Sequence, residues 1–181
     1  KVVMATRKAP RQVMVADFET TVIAEDCRVW AWGIAPITAR ELADVELGQD
    51  IQSFIKRVSE AERVVYFHNL GFDGSFIIDW LLKNGYSHTT GNPRRGQFST
   101  LISNMGKFYS INVQWLNGRA AEFRDSYKKL PMSVANIAIA FKLETTKGDL
   151  DYALPRPIGW EITPDEADYI RRDVLIVTRA M

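Results

Sequence analysis

The order in which two hydrophobic periodicities alternate along this chain limits its fold more than any other feature. Gln12 to Phe18 is a β-rich run, with Val13, Val15 and Phe18 bounded by Pro10 and the polar pair Glu19-Thr20, and it reads as a strand. Arg28 to Ile37, rich in Val, Trp and Ile, reads as a second strand, and a weaker third falls near Val45–Leu47. Asp50 caps a helix running to about Glu60, in which Ile51, Phe54, Ile55 and Val58 recur at helical spacing. Val64 to Phe67 is a short buried strand, Asn69 to Gly71 a turn, and Asp73 to Asn84 a helix stopped by Gly85.

A loop over 89–97 leads into three strand-like runs, Phe98–Ser103, Lys107–Trp115 and Ala120–Arg124. Turns at Asn104–Gly106 and Asn117–Gly118 separate them, the second an Asn-Gly hairpin signal. Pro131 to Phe141 reads as a helix. The last helix starts sharply, with Thr163 as N-cap, Pro164 in first position and Glu166 completing a capping box. Strands that lead, then alternate with helices, then form a hairpin before two final helices imply an α/β fold: a mixed β-sheet flanked by helices. No repeat or linker divides it, so residues 1–181 are expected to form a single domain.

Bulk charge and composition exclude several function classes. The net charge is +1, so no global basic field serves nucleic acid, and DNA binding has to come from a local groove. Cys27 is the only cysteine, which rules out an intrachain disulfide and a cysteine zinc site. The only histidines are His68 and His88, too few for a histidine-rich zinc or iron site. Any metal therefore takes oxygen ligands, which points to Mg²⁺ or Mn²⁺. No apolar run reaches membrane length and no signal peptide opens the chain. With Lys1 at the start and Met181 inside a helical pattern, the chain is expected to be a domain cut from a longer, cytoplasmic protein without membrane contact.

The acids are informative only in combination. Asp17 and Glu19 stand two apart at a strand end, and alternate strand residues share a face. Two carboxylates so placed repel and need a cation or solvent between them; alone, they read more simply as a solvated strand end. Asp73 alone reads as a helix cap, and Asn69 and Phe72 beside it as turn and core residues. Tyr169 and Asp173 share one face of the last helix and alone are an exposed pair. Taken together, these groups form an oxygen-donor set of the kind that two Mg²⁺ ions roughly 4 Å apart need to catalyse in-line attack on phosphate.

With these residues in view, the chain resembles the proofreading domain of family B DNA polymerases, particularly the protein-primed replicative polymerases of small linear-genome phages such as those of Bacillus. Asp17-Phe18-Glu19-Thr20-Thr21 is similar to the first exonuclease motif, His68-Asn69-Leu70-Gly71-Phe72-Asp73 to the second and Tyr169-Ile170-Arg171-Arg172-Asp173 to the third. The resemblance covers nearly the whole chain, through EDCRVWAWG, FDGSFIIDWL, SYKKLP, KGDLDY and ITPDEADYI. It implies an RNase H-like, DnaQ-like exonuclease fold of the tyrosine subclass. The histidine subclass does not fit, because Asp168 stands five before Asp173.

By that resemblance Asp17, Glu19, Asp73 and Asp173 hold two divalent cations, Mg²⁺ or Mn²⁺. Tyr169 orients the attacking water or scissile phosphate, and Lys147 offsets phosphate charge. Thr20, His68, Asn69, Phe72, Ser126 and Tyr152 hold the single-stranded DNA 3′ end. From the residues alone, Lys147 reads as a solvated loop lysine and Tyr152 as a packed surface ring. Tyr127 and Met132 depart from the family's Leu and Phe, and both lie where DNA or a priming terminal protein is expected to touch. The Tyr127 ring is placed to stack on a base. The implied activity is 3′→5′ exonuclease proofreading that releases 5′-mononucleotides, with no palm or fingers motif of a polymerase domain in this chain. The rivals are a stand-alone 3′→5′ exoribonuclease and a silent single-strand-binding scaffold.

Overall fold

The computed structural model describes residues 10–102, 108–144 and 148–181. The strands are β1 (Gln12–Thr20), β2 (Val29–Pro36), β3 (Glu46–Gly48), β4 (Arg63–Phe67), β5 (Ser87–His88), β6 (Gln97–Ile102), β7 (Phe108–Gln114) and β8 (Ala120–Asp125). The helices are α1 (Ile51–Ser59), α2 (Leu70–Lys83), α3 (Val134–Ala140) and α4 (Pro164–Ala180). Among the described residues the strands form one sheet in the order β3-β2-β1-β4-β8-β7-β6-β5. The central β1, β4 and β8 run parallel, with antiparallel β2 and β3 on one side and antiparallel β7 and β6 on the other.

β1 is buried on both faces, as a central parallel strand must be. Met14, Ala16 and Phe18 join the core formed with α1 and α2, where Phe54, Ile77 and Leu81 lie. The rings of Phe18 and Phe54 meet edge-on at 4.7 Å, and those of Phe18 and Phe67 at 4.8 Å. Val15, on the opposite face, packs with Ile137 of α3 and Val174 and Val177 of α4. Strand alternation therefore turns Asp17 and Glu19 toward the α4 side.

The last helix keeps its expected start: Thr163 Oγ1 accepts from Glu166 N, and Glu166 accepts from Thr163 N at 3.0 Å. It lies close against β2 because of Gly33. A Cβ at that position would stand 2.8 Å from Ile170 Cγ2 and 3.0 Å from Val174 Cγ2.

Local differences from the sequence reading have physical causes. α2 starts at Leu70 rather than Asp73, because Asn69 takes a left-handed conformation (φ 77°) and reverses the chain in one residue. Asp73 thus lies inside the first turn and does not cap the helix. α3 starts at Val134, capped by Ser133, whose hydroxyl accepts from Asn136 N; Pro131 and Met132 precede it. β5, two residues long, carries no period to detect. The turn expected at Asn104–Gly106, with Ser103 and Lys107, lies outside the described residues. Among them, no helix is long and apolar enough to cross a membrane.

Candidate active site

Because β1, β4 and β8 are parallel, their C-terminal ends open on one edge, where ligand sites of such sheets form. A cleft of about 420 Å³ lies there. Asp17, Glu19 and Thr20 reach it from β1; His68, Asn69, Phe72 and Asp73 from the β4–α2 junction; Tyr169 and Asp173 from α4; and Tyr152 from the preceding segment. Apolar residues, among them Val22, Val134 and Val177, also line its walls.

Three of the four acids are removed from bulk solvent: Glu19, Asp73 and Asp173 are 4–5% exposed. Burial pushes the Asp73 carboxyl well above the usual carboxylate range, and the charge of Asp17 pushes it further. Amides of Asp73 and Phe18 pull the other way, and Asp125 adds to the rise. Burial beside Asp17 thus makes the charged form of Asp73 costly.

Tyr169 is also buried, with its hydroxyl 2.6 Å from that of Tyr152. Burial, then the Tyr152 hydrogen bond and the charges of Asp173 and Glu19, raise the phenol's pKa, so it stays neutral and keeps its proton. Phe72 is half exposed in the first turn of α2, edge-on to Phe76 at 5.5 Å. Tyr152 is about as exposed. Both residues line the cleft.

His68 is tied down on both nitrogens. Nε2 lies 2.7 Å from the Met132 carbonyl, which can only accept, so Nε2 donates. Nδ1 lies 3.1 Å from Ser126 Oγ. Ser126 is fully buried, with its hydroxyl also 3.2 Å from the Phe67 carbonyl. Ser126, expected at the DNA 3′ end, thus lies behind His68 and outside the cleft lining. Tyr127 is exposed, tilts against His68 at 5.4 Å and stands outside the cleft lining. At Met132 the contact runs through the backbone carbonyl, so the departure in side chain leaves the His68 anchor intact. Lys147 lies outside the described residues.

Sequence reasoning missed Asp125. It ends β8 on the same edge and accepts from Asn69 N at 3.2 Å and Tyr127 N at 2.8 Å. An acid closing a strand-like run was the available signal. It also saw Glu166 only as a cap, whereas Glu166 holds Arg156 at 2.8 Å within the protein.

Among the described residues, no group of three or more His, Cys, Asp or Glu side chains is already arranged to hold a metal ion. The donor chemistry nevertheless fits a hard cation: the acids facing the cleft are all carboxylates, gathered at one edge and mutually repelling. Mg²⁺ keeps several waters and takes only one or two carboxylates alongside substrate phosphate, so it needs no closed protein cage. Asp17, Glu19, Asp73 and Asp173 are the residues that fit.

A mixed sheet with helices on both faces and acids at the parallel edge defines an α/β domain of the RNase H-like class. Residues 55–156 match the family described as DNA polymerase type B, organellar and viral. The DNA polymerase of Bacillus phage PZA is 42% identical over 177 residues, 95% of this chain and 30% of that protein. That of Bacillus phage phi29 is 41% identical with the same coverage. That of Streptococcus phage Cp-1 is 31% identical, over 91% of this chain and 29% of its own length. Phi29 DNA polymerase complexed with single-stranded DNA superposes with a TM-score of 0.87 at 39% identity, over 93% of this chain and 30% of that one. Its complex with primer-template DNA and incoming nucleotides also gives 0.87 at 39% identity, over 95% and 30%. The chain belongs to the type B DNA polymerases, organellar and viral, and corresponds to the exonuclease domain of the phi29-type Bacillus phage enzymes. It spans about 30% of the length of the curated relatives it matches.

Proposed function

We propose that this domain is a proofreading 3′→5′ exodeoxyribonuclease, hydrolysing single-stranded DNA 3′ ends to 5′-mononucleotides with two divalent cations, Mg²⁺ or Mn²⁺. The observation that carries this reading is the convergence of Asp17, Glu19, Asp73, Asp173 and Tyr169, from three separate elements, on one cleft. The single-stranded DNA complex of phi29 polymerase supports it.

Bound cations supply Lewis acidity toward the phosphate and lower the pKa of the attacking water. Asp17, Glu19, Asp73 and Asp173 would hold them. The neutral Tyr169 hydroxyl, steadied by Tyr152, orients the water or the scissile phosphate. Phe72 stacks on a base, which is worth about 1–3 kcal/mol and tolerates any sequence. Thr20, Asn69 and Tyr152 line the strand's path, and Lys147 offsets phosphate charge. In the longer protein the partners are a polymerase domain and a terminal priming protein, in the cytoplasm of a host cell.

Matched 5′-labelled DNA and RNA oligonucleotides with Mn²⁺ test this reading. DNA shortens from its 3′ end and releases 5′-mononucleotides, while Asp17→Ala with Glu19→Ala releases less than about 1% as much, since loss of metal assistance costs several kcal/mol. Faster cleavage of RNA would assign a ribonuclease, and binding without cleavage a silent scaffold.

A further inference from the structure

Residues 148–162, leading into α4, form neither helix nor strand. Yet Tyr152 within this segment is held with its hydroxyl 2.6 Å from that of Tyr169. A buried ion pair braces the backbone on either side of it. Arg156 and Glu166 are each 5% exposed, with Arg156 Nε donating to Glu166 Oε1 at 2.8 Å. Arg156 Nη2 donates to the Asp151 carbonyl at 2.9 Å, immediately before Tyr152, and Nη1 to the Leu154 carbonyl at 3.2 Å. The guanidinium lies 4.3 Å from the centre of the Trp30 ring on β2. Glu166 Oε2 accepts from Trp160 Nε1 and from Thr163 N, each at 3.0 Å. Glu166 stands three residues before Tyr169, so one side-chain pair joins the carbonyl beside Tyr152 to the helical turn leading to Tyr169.

Apolar packing often stabilises as well as a buried ion pair does. What the planar guanidinium fork adds is a fixed direction for each hydrogen bond. We infer that the Arg156–Glu166 pair is a positioning device for the reaction, holding Tyr152 against Tyr169 and so fixing the Tyr169 hydroxyl in the cleft. This rests on the exonuclease reading of that cleft. Neither Arg156 nor Glu166 lines the cleft; they act through the two tyrosines.

The test is a single-turnover cleavage series in Mn²⁺ on a single-stranded oligonucleotide. It compares wild type, Arg156→Met, Arg156→Lys, Glu166→Gln, Tyr152→Phe, and Arg156→Met combined with Tyr152→Phe. Supporting groups of this kind are worth about 10–100-fold, and Arg156→Met is expected to slow the chemical step by that factor. Arg156→Lys restores part of the rate, because one donor survives without the fork. The double variant is no slower than the slower single one, since both changes break the same link. Glu166→Gln keeps an oxygen for the helix cap and replaces Arg156→Met in the cycle if that variant does not fold. Losses that multiply in the double variant, or a full rate in folded Glu166→Gln, overturn the inference.

A second readout needs no activity. The hydroxyl proton shared by Tyr152 and Tyr169 gives a slowly exchanging NMR signal in wild type that disappears in Arg156→Met, and its survival there overturns the inference. An inactive wild-type protein overturns the exonuclease reading instead.

Discussion

Tyr169 and Tyr127 are both aromatic residues near the cleft, but the structure places them differently. Tyr169 is enclosed among acids and keeps its proton. Tyr169→Phe is therefore expected to slow cleavage by about 10²–10⁴-fold while leaving Mn²⁺ binding unchanged; a full single-turnover rate would reduce Tyr169 to a packing residue. Tyr127 is exposed beside His68. Tyr127→Leu is expected to keep cleavage and to weaken binding of single-stranded 3′ ends by about 5–30-fold, the worth of a stacked base. The loss should persist at higher salt, because stacking releases few counterions. Titrating a fluorescent oligonucleotide in Ca²⁺ at two salt concentrations checks this, and equal affinities contradict it. The cleft acids and Tyr169 were legible only in combination and through the resemblance of their three motifs, since each alone reads as a strand end, a helix cap or an exposed helical pair. The burial of Ser126 was not, since a serine beside a strand end gives no sign of which way its hydroxyl turns. Arg156 gave no sign either, because its partner lies ten residues away across irregular chain.

Packing between elements decides whether the acids meet at all. α4 carries Tyr169 and Asp173, and its distance from β1 is set over β2 by Gly33, the register partner of Asp17. Gly33→Val drives new methyl groups into Ile170 and Val174, residues of a packed helix that cannot yield locally. A loss of about 1–3 kcal/mol in urea unfolding follows, with cleavage falling further than stability does. Unchanged stability would mean that α4 floats over the sheet.

The start of α4 has its own pH signature. Burial pushes the Glu166 carboxyl up, but hydrogen bonds from Trp160, Thr163 and Arg156 outweigh it and hold the pKa below its ordinary value. A depressed folded pKa gives stability that is present above the unfolded value of about 4.3 and is lost as pH falls through the folded one. The stability gap between wild type and Glu166→Gln is thus widest at neutral pH and closes below about pH 4. A gap that stays constant from pH 7 to 3 contradicts this. Helical periodicity and the capping box made α1 and α4 legible in advance. The start of α2 was not, because the left-handed Asn69 reads as an ordinary turn residue.

For the whole molecule, the sheet order is what brings the acids together. β4 lies between β1 and β8, so the end of β1, the start of α2 and the end of β8 share one edge. Strand pairings across that many residues leave no local pattern, and the sequence motifs alone implied the convergence without showing it. The exonuclease reading requires that this edge hold two catalytic cations. Anomalous diffraction from crystals soaked in Mn²⁺ with a single-stranded oligonucleotide tests it most directly. Two peaks roughly 4 Å apart are expected, ligated by Asp17, Glu19, Asp73 and Asp173. Mn²⁺ absent from the cleft while the oligonucleotide occupies it would contradict it.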